Sequence, residues 1–233
     1  MKRLYFIIIL ITLGFVNLAK ANTISLEPAR VRLSVSAGQA KNGTIHVDNP
    51  SNKEMKVRAY LEDWRYSSCK DGTKEFFPEG TLASSCSRWV SFSPAEFSLP
   101  PFGRQVVNYT IHVPQGSKGG YFSVMFFETD LAEVKNTPDS EVQLKARLGA
   151  LFSIEIKDSI VCKADLESLK IEKENDTLKL LAQFNNKGNV DIAPKILFHL
   201  IDREGQVLCR GKFDEIFTLP QDNAEVTAAT KIK

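Results

Sequence analysis

Residues 141–157 read EVQLKARLGALFSIEIK. Val142, Leu144, Ala146, Leu148, Ala150, Phe152, Ile154 and Ile156 occupy the even positions. Gln143, Lys145, Arg147, Ser153 and Glu155 fall between them, together with Gly149 and Leu151. Successive side chains of a strand point to opposite faces, so a period of two over this length predicts one long strand with one apolar face. A helix turns by about 100° per residue and would scatter the same residues round its circumference.

The flanking sequence has the same character. Short runs rich in Val, Ile, Phe, Tyr and Thr recur between turn residues, and no long stretch carries the spacing of an amphipathic helix. Strands are expected over Ile24–Val35, Gly43–Val47, Lys56–Trp64, Trp89–Phe92, Phe97–Leu99, Gln105–Val113 and Tyr121–Glu128. Asp48-Asn49-Pro50-Ser51-Asn52 and Pro100-Pro101-Phe102-Gly103 read as turns, because Pro cannot continue a ladder. Asp130–Ser140 is polar and reads as a loop. Beyond Val161, strands are expected over Leu166–Ile171, Leu178–Phe184, Ile196–Asp202 and Val207–Cys209, while the last fifteen residues carry little apolar pattern. The fold class is all-β, as two immunoglobulin-like β-sandwich domains over 22–160 and 161–233. The second is small or incomplete, since a seven-strand sandwich needs ~100 residues.

The first 21 residues stand apart. Lys2 and Arg3 precede an apolar run from Leu4 to Leu13, and Ala19-Lys20-Ala21 is a small-x-small cleavage site. This is the pattern of a secretory signal peptide, and its apolar core falls short of the ~20 residues of a spanning helix. Cleavage after Ala21 removes three of the 30 basic residues and none of the 28 acidic ones, so the net charge passes from +2 to slightly negative. No membrane span is expected after that cut. A near-neutral chain also excludes a polycationic nucleic-acid binder.

Export makes disulfides possible. Cys69 and Cys86 flank a turn-rich stretch, and a bond between them would stabilise the fold by roughly 3 kcal/mol in the chain-entropy model. Cys162 and Cys209 are either a second pair or two thiols. No CxxC or neighbouring histidine supports zinc, so no metal is expected. His46, His112 and His199 lie inside separate strand candidates, and no serine sits in a G-x-S-x-G elbow. Gly119-Gly120 lacks the lysine of a phosphate loop. The chain is therefore expected to be no enzyme and to need no cofactor.

Four segments together resemble the N-terminal immunoglobulin-like domain of the PapD-like periplasmic pilus-assembly chaperones. They are Ile24–Arg32 leading to Gly38, Thr44–Ser51, Phe97–Pro101 followed by Gln105–Val107, and Tyr121–Glu128 followed by the alternating strand from Val142. The C-terminal half is a weaker match. The resemblance implies that the last strand of the first domain lends alternate side chains to an unfinished partner subunit. Val142, Leu144, Ala146 and Leu148 would be the donors. It also implies a basic pair that anchors a subunit carboxylate. Arg30 matches the first member. The closest register puts Ala150 at the second, with Arg147 the nearest basic neighbour, on the opposite face of the strand.

The function these observations point to is a periplasmic, chaperone-like protein acting in the assembly of pili or other surface structures. Its partners would be pilin-like or other surface subunits and, beyond them, an outer-membrane usher. A structural or adhesive envelope protein that kept the fold without chaperone activity is the alternative, and Ala150 favours it.

Overall fold

The computed structural model describes residues 23–137 and 140–231, without the side chains of 131–143. The signal sequence over 1–21 lies outside the described residues. The strands are β1 (Ser25–Glu27), β2 (Arg30–Val35), β3 (Ala40–Asp48), β4 (Met55–Tyr66), β5 (Lys74–Pro78), β6 (Val90–Ser93), β7 (Glu96–Leu99) and β8 (Arg104–His112). There follow β9 (Gly120–Thr137), β10 (Ser140–Ile156), β11 (Ala164–Glu174), β12 (Thr177–Asn186), β13 (Leu197–Ile201), β14 (Val207–Lys212) and β15 (Asn223–Lys231). A single 3-10 turn, Ser87–Trp89, is the only helical element among the described residues. The molecule is all-β and built of sandwiches, as its alternation predicts.

The first ten strands form two facing sheets. One runs β1-β3-β8-β6, and the other β2-β10-β9-β4-β5, with β7 also paired to β4. Between them lies the main core. Ile45, Val47, Val107 and Ile111 come from the first sheet, and Val57, Met125, Phe127, Phe152 and Ile154 from the second. Each such side chain, fully buried, contributes about 1.5–3 kcal/mol of hydrophobic stabilisation. The run Ile24–Val35, expected as one extended segment, divides between the sheets. Pro28 has no N–H to give to a ladder, and the chain leaves β1 in one sheet to begin β2 in the other.

Two expectations from the sequence are corrected by backbone pairing. Of the expected loop Asp130–Ser140, residues 130–137 are strand: β9 continues to Thr137 and pairs with β10 in antiparallel register, Lys135 opposite Glu141 and Ala132 opposite Leu144. A two-stranded arm encloses no core, so nothing there demands an apolar face. The C-terminus likewise holds a strand, β15, whose Ala224, Val226 and Ala228 are buried. Small alanines carry the inward face there, which is why the pattern looks weak.

The second group of strands is an unfinished sandwich. The three-stranded sheet β11-β12-β15 faces the two-stranded sheet β13-β14. Leu180, Ala182, Phe184 and Val226 pack with Phe213 and Ile216, and with Phe198 and Leu200 at the margin. Leu166 and Ile171 are the register partners of Phe184 and Leu180 on the same face, yet both are exposed, because the opposing sheet is too narrow to reach β11.

A buried asparagine ties a turn in each half. The Asn49 amide donates to the carbonyls of Lys53, Leu99 and Pro100, while its Oδ1 accepts from Ser51. The Asn186 amide donates to the carbonyls of Val190 and Leu219, while its Oδ1 accepts from the Gly188 N–H. Buried polar groups require such partners, and the asparagine amide supplies donors and acceptor together.

Candidate functional site

β10 sets the geometry of the site. Along one edge it pairs with β9 for nearly its whole length. Along the other it pairs in parallel with β2, but only from Leu151, opposite Arg30, to Ile156, opposite Val35. Among the described residues no strand covers the outer edge of β10 from Ser140 to Ala150. A bare edge is a row of unpaired N–H and C=O groups, ready to pair with another chain.

Leu144, Ala146, Leu148 and Ala150 of that open segment face the sandwich side of the sheet. Leu148 is partly buried and packs on the core, Ala146 is half-buried, and Leu144 is 46% exposed. The apolar row thus begins in the core and runs out into solvent. Val142 stands opposite Val134 in the ladder, and its side chain lies outside the described residues.

Lys145, Arg147, Gly149 and Leu151 face the other way. Trp64, Tyr66, Phe122, Val124, Phe126 and Leu219 form a cluster on this outer face. Phe217 stacks near Tyr66, with ring centroids 5.6 Å apart. The Gly120 N–H donates to the Asn189 carbonyl at 2.7 Å, and Lys70 pairs with Asp222 at 2.7 Å. Gly119 adopts φ +80, and a Cβ there would come within 2.8 Å of the Asn189 carbonyl oxygen, so glycine permits the approach.

Beside this contact lies a cleft of about 330 Å³ lined by Arg30, Arg32, Trp64, Tyr66, Lys74, Leu151, Ser153 and Asp191. Arg30 is exposed and has no ion pair among the described residues. Arg32 is engaged with Asp191 at 2.5 Å and Glu155 at 3.5 Å. Lys74 donates to the Gly72 carbonyl at 2.9 Å, and its ammonium lies 5.3 Å from the Tyr66 ring centroid and 5.5 Å from that of Trp64. Burial, then the positive charge of Arg30, lowers the Lys74 pKa. Burial, then Asp191, raises that of Tyr66.

Ala150 does not face this cleft. It is fully buried in the sandwich core, because even positions of β10 point inward. From β10 the cleft receives Leu151 and Ser153. Arg147 shares the outward face, and its guanidinium sits 4.3 Å from the Phe126 ring centroid, 5.3 Å from that of Phe76, and 3.5 Å from Glu62.

All four cysteines are free thiols, which corrects the expected Cys69–Cys86 staple and, of the two alternatives for Cys162 and Cys209, gives the thiols. Cys86 is fully buried against the Ser123 hydroxyl at 3.1 Å. Its neighbour Ser85 bonds Asp63, inside β4, whereas Cys69 is exposed in the turn beyond the end of β4 at Tyr66. Cys162 is exposed before β11, and Cys209 on β14 accepts a hydrogen bond from Thr230 at 3.7 Å. Sequence proximity of Cys69 and Cys86 hides this separation. Among the described residues no group of His, Cys, Asp or Glu is placed to hold a metal. No helix there is long and apolar enough to cross a membrane.

Sequence reasoning missed Lys74, Ser153 and Asp191. The strand β5 that carries Lys74 follows the Lys70-Asp71-Gly72 turn, and this turn was the available signal for a hairpin.

Neither a protein-family model nor a curated protein matches this chain. Among solved structures it is similar to one described as a chaperone–tip adhesin complex of CFA/I fimbriae biogenesis. The identity is 13% and the TM-score 0.52, with 87% of each chain covered. It is also similar to the class 5 fimbriae chaperone CfaA, at 14% identity and TM-score 0.51, covering 86% of this chain and 84% of that one. By this likeness the chain shares the fold of these fimbriae chaperone structures.

Proposed function

We propose that this chain is a chaperone-like binding protein that captures subunits of pili or other surface structures by strand addition along β10, and performs no chemistry. The carrying observation is the uncovered edge from Ser140 to Ala150 with its row of Leu144, Ala146 and Leu148. Strand addition draws generic affinity from backbone hydrogen bonds and selectivity from alternate side chains. Val142 would extend the row. Arg30 would hold a carboxylate of the subunit, since a guanidinium fork matches both oxygens.

The same proposal takes residues 1–21 as a cleaved export signal and 22–160 and 161–233 as the two domains. It puts the mature protein in the periplasm, where an outer-membrane usher would receive the captured subunit. A structural or adhesive role in the envelope is the competing function, and the lack of a basic residue at positions 150, 151 and 153 of β10 favours it.

The test is affinity capture from periplasmic extract with wild type and Leu144→Asp side by side, with mass identification of what is held. The expected result is a β-rich surface subunit retained by wild type and reduced at least about tenfold by the variant, a change of ~1.4 kcal/mol. Hydrogen exchange on the complex should slow at the amides of 140–150. Equal capture by both proteins, with unchanged exchange there, overturns the proposal in favour of the envelope role.

A further inference from the structure

The strand β13 reads Leu197-Phe198-His199-Leu200-Ile201, with a single polar residue in the run. A strand with one solvated face alternates apolar and polar side chains, and a near-continuous apolar run is what a strand covered on both faces carries. Only one face of β13 is covered. Phe198 and Leu200 pack on the core of the second group of strands. Leu197 and Ile201 alternate with them onto the other face and are 72% and 61% exposed. On β14, Val207 stands opposite Ile201, and Leu208 occupies the irregularity beside it. Both are exposed as well. Apolar surface gathered in this way marks a face that meets a partner.

The charge on this hairpin has one sign. Neither β13 nor β14 carries an Asp or a Glu. Arg210 stands opposite His199 and Lys212 opposite Leu197, and all four are exposed. Lys195 lies just ahead of β13. The nearby carboxylates leave that charge in place. Asp202 accepts from the Gln206 N–H within the hairpin turn at 2.7 Å, and Glu204 is balanced in the same turn by Arg203. Glu215 stands 4.0 Å from Lys212 with both side chains largely in solvent, where such a pair holds little. Arg210 has no ion pair among the described residues.

An apolar strip flanked by unanswered cations complements an anionic bilayer. The boundary between headgroups and acyl chains takes the apolar side chains, and the lipid phosphates take the cations. We propose that the outer face of the β13–β14 hairpin docks the protein on the surface of an anionic phospholipid membrane. Leu197, Ile201, Val207 and Leu208 enter the boundary, while Arg210 and Lys212 meet the phosphates. The hairpin lies on the bilayer and does not cross it. Neither β10 nor the cleft of Arg30 takes part, so this docking is independent of subunit capture.

The test uses residues 22–233, so that the apolar run Leu4–Leu13 cannot itself enter a bilayer, and sedimentation with vesicles of phosphatidylcholine alone or mixed equally with phosphatidylglycerol. Binding to the anionic vesicles is expected to be at least tenfold stronger and to weaken as salt is raised, because headgroup attraction is screened. Arg210→Gln with Lys212→Gln should reduce it at least tenfold, and so should Ile201→Ser with Leu208→Ser. Lys56→Gln with Arg58→Gln, an equal charge change on the first group of strands, should leave it within twofold. In Ile201→Trp the added indole emission should move to the blue on anionic vesicles. Equal binding to the two kinds of vesicle, no binding to either, an equal loss in the Lys56/Arg58 variant, or an unmoved Ile201→Trp emission would each overturn the proposal. Self-association of the chain that is lost in the Ile201/Leu208 variant, without vesicle binding, would also overturn it and give the face to a protein contact.

Discussion

Arg30 and Leu151 are register partners at the point where β2 joins β10 in parallel, and that pair marks where the outer edge of β10 ceases to be open. From Leu151 onward both edges of β10 are covered. Before it, only β9 is attached. The same residue that closes the edge also lines the cleft, so the end of the open strand and the Arg30 cleft are adjacent features of one surface. A partner strand running along β10 toward Leu151 would finish with its end at Arg30.

Leu144 and Leu148 should separate binding from stability. Leu148 packs on the core, and Leu148→Ala is expected to cost about 1–2 kcal/mol, below the range for a fully buried leucine because it is only partly covered. Leu144 lies at 46% exposure beyond the core, so Leu144→Ala should stay within ~0.5 kcal/mol. Chemical denaturation of both variants measures this. Equal losses would mean that the arm is packed more closely than its exposure indicates.

The thiols should react in order of exposure. Burial, opposed by the Ser123 hydrogen bond, pushes the Cys86 thiol up to about 12. At pH 8 such a group is ionised to roughly one part in ten thousand, and the thiolate is the reactive form. Alkylation of the native protein should label Cys69 and Cys162 first, Cys209 more slowly, and Cys86 only on unfolding. A Cys69–Cys86 peptide in a non-reducing mass map would sink this prediction.

The root of the arm carries a pH-sensitive pair. The Lys145 ammonium donates to Glu128 at 3.1 Å and holds its carboxyl below the ordinary glutamate value, with Tyr60 helping. The stabilisation from a depressed carboxylate is present above the unfolded pKa and is lost as pH falls through the folded one. The contribution of Glu128 is therefore complete at neutral pH and disappears on acidification below the usual glutamate range. Lys145→Ala should move the Glu128 midpoint upward in an NMR titration. An unmoved midpoint would assign the shift to something other than Lys145.

The alternation in 141–157 was enough to establish a long strand with one apolar face, because side-chain direction in a strand is local geometry. The turn at Asn49-Pro50-Ser51 and the short, evenly spaced runs were enough for a sandwich. The polar residues of Asp130–Thr137 concealed a strand, since pairing with β10 holds them in place without a core to select apolar side chains.

What remained beyond local pattern depends on where distant strands stop. Period two is the same for a strand sealed in a core and for one lending its side chains outward. Only the start of β2 at Arg30 decides which part of β10 is open. Ala150 and Arg147 look equally available in the sequence, yet the pleat sends the first into the core and the second onto Phe126. Lys74 and Arg30 line one cleft although three strands, β10, β9 and β4, lie between theirs, and Cys86 is kept from Cys69 by the length of β4 beyond Asp63. Strand type is determined within a few residues. Edges, faces and the meeting of charges are determined by pairings that span the whole chain.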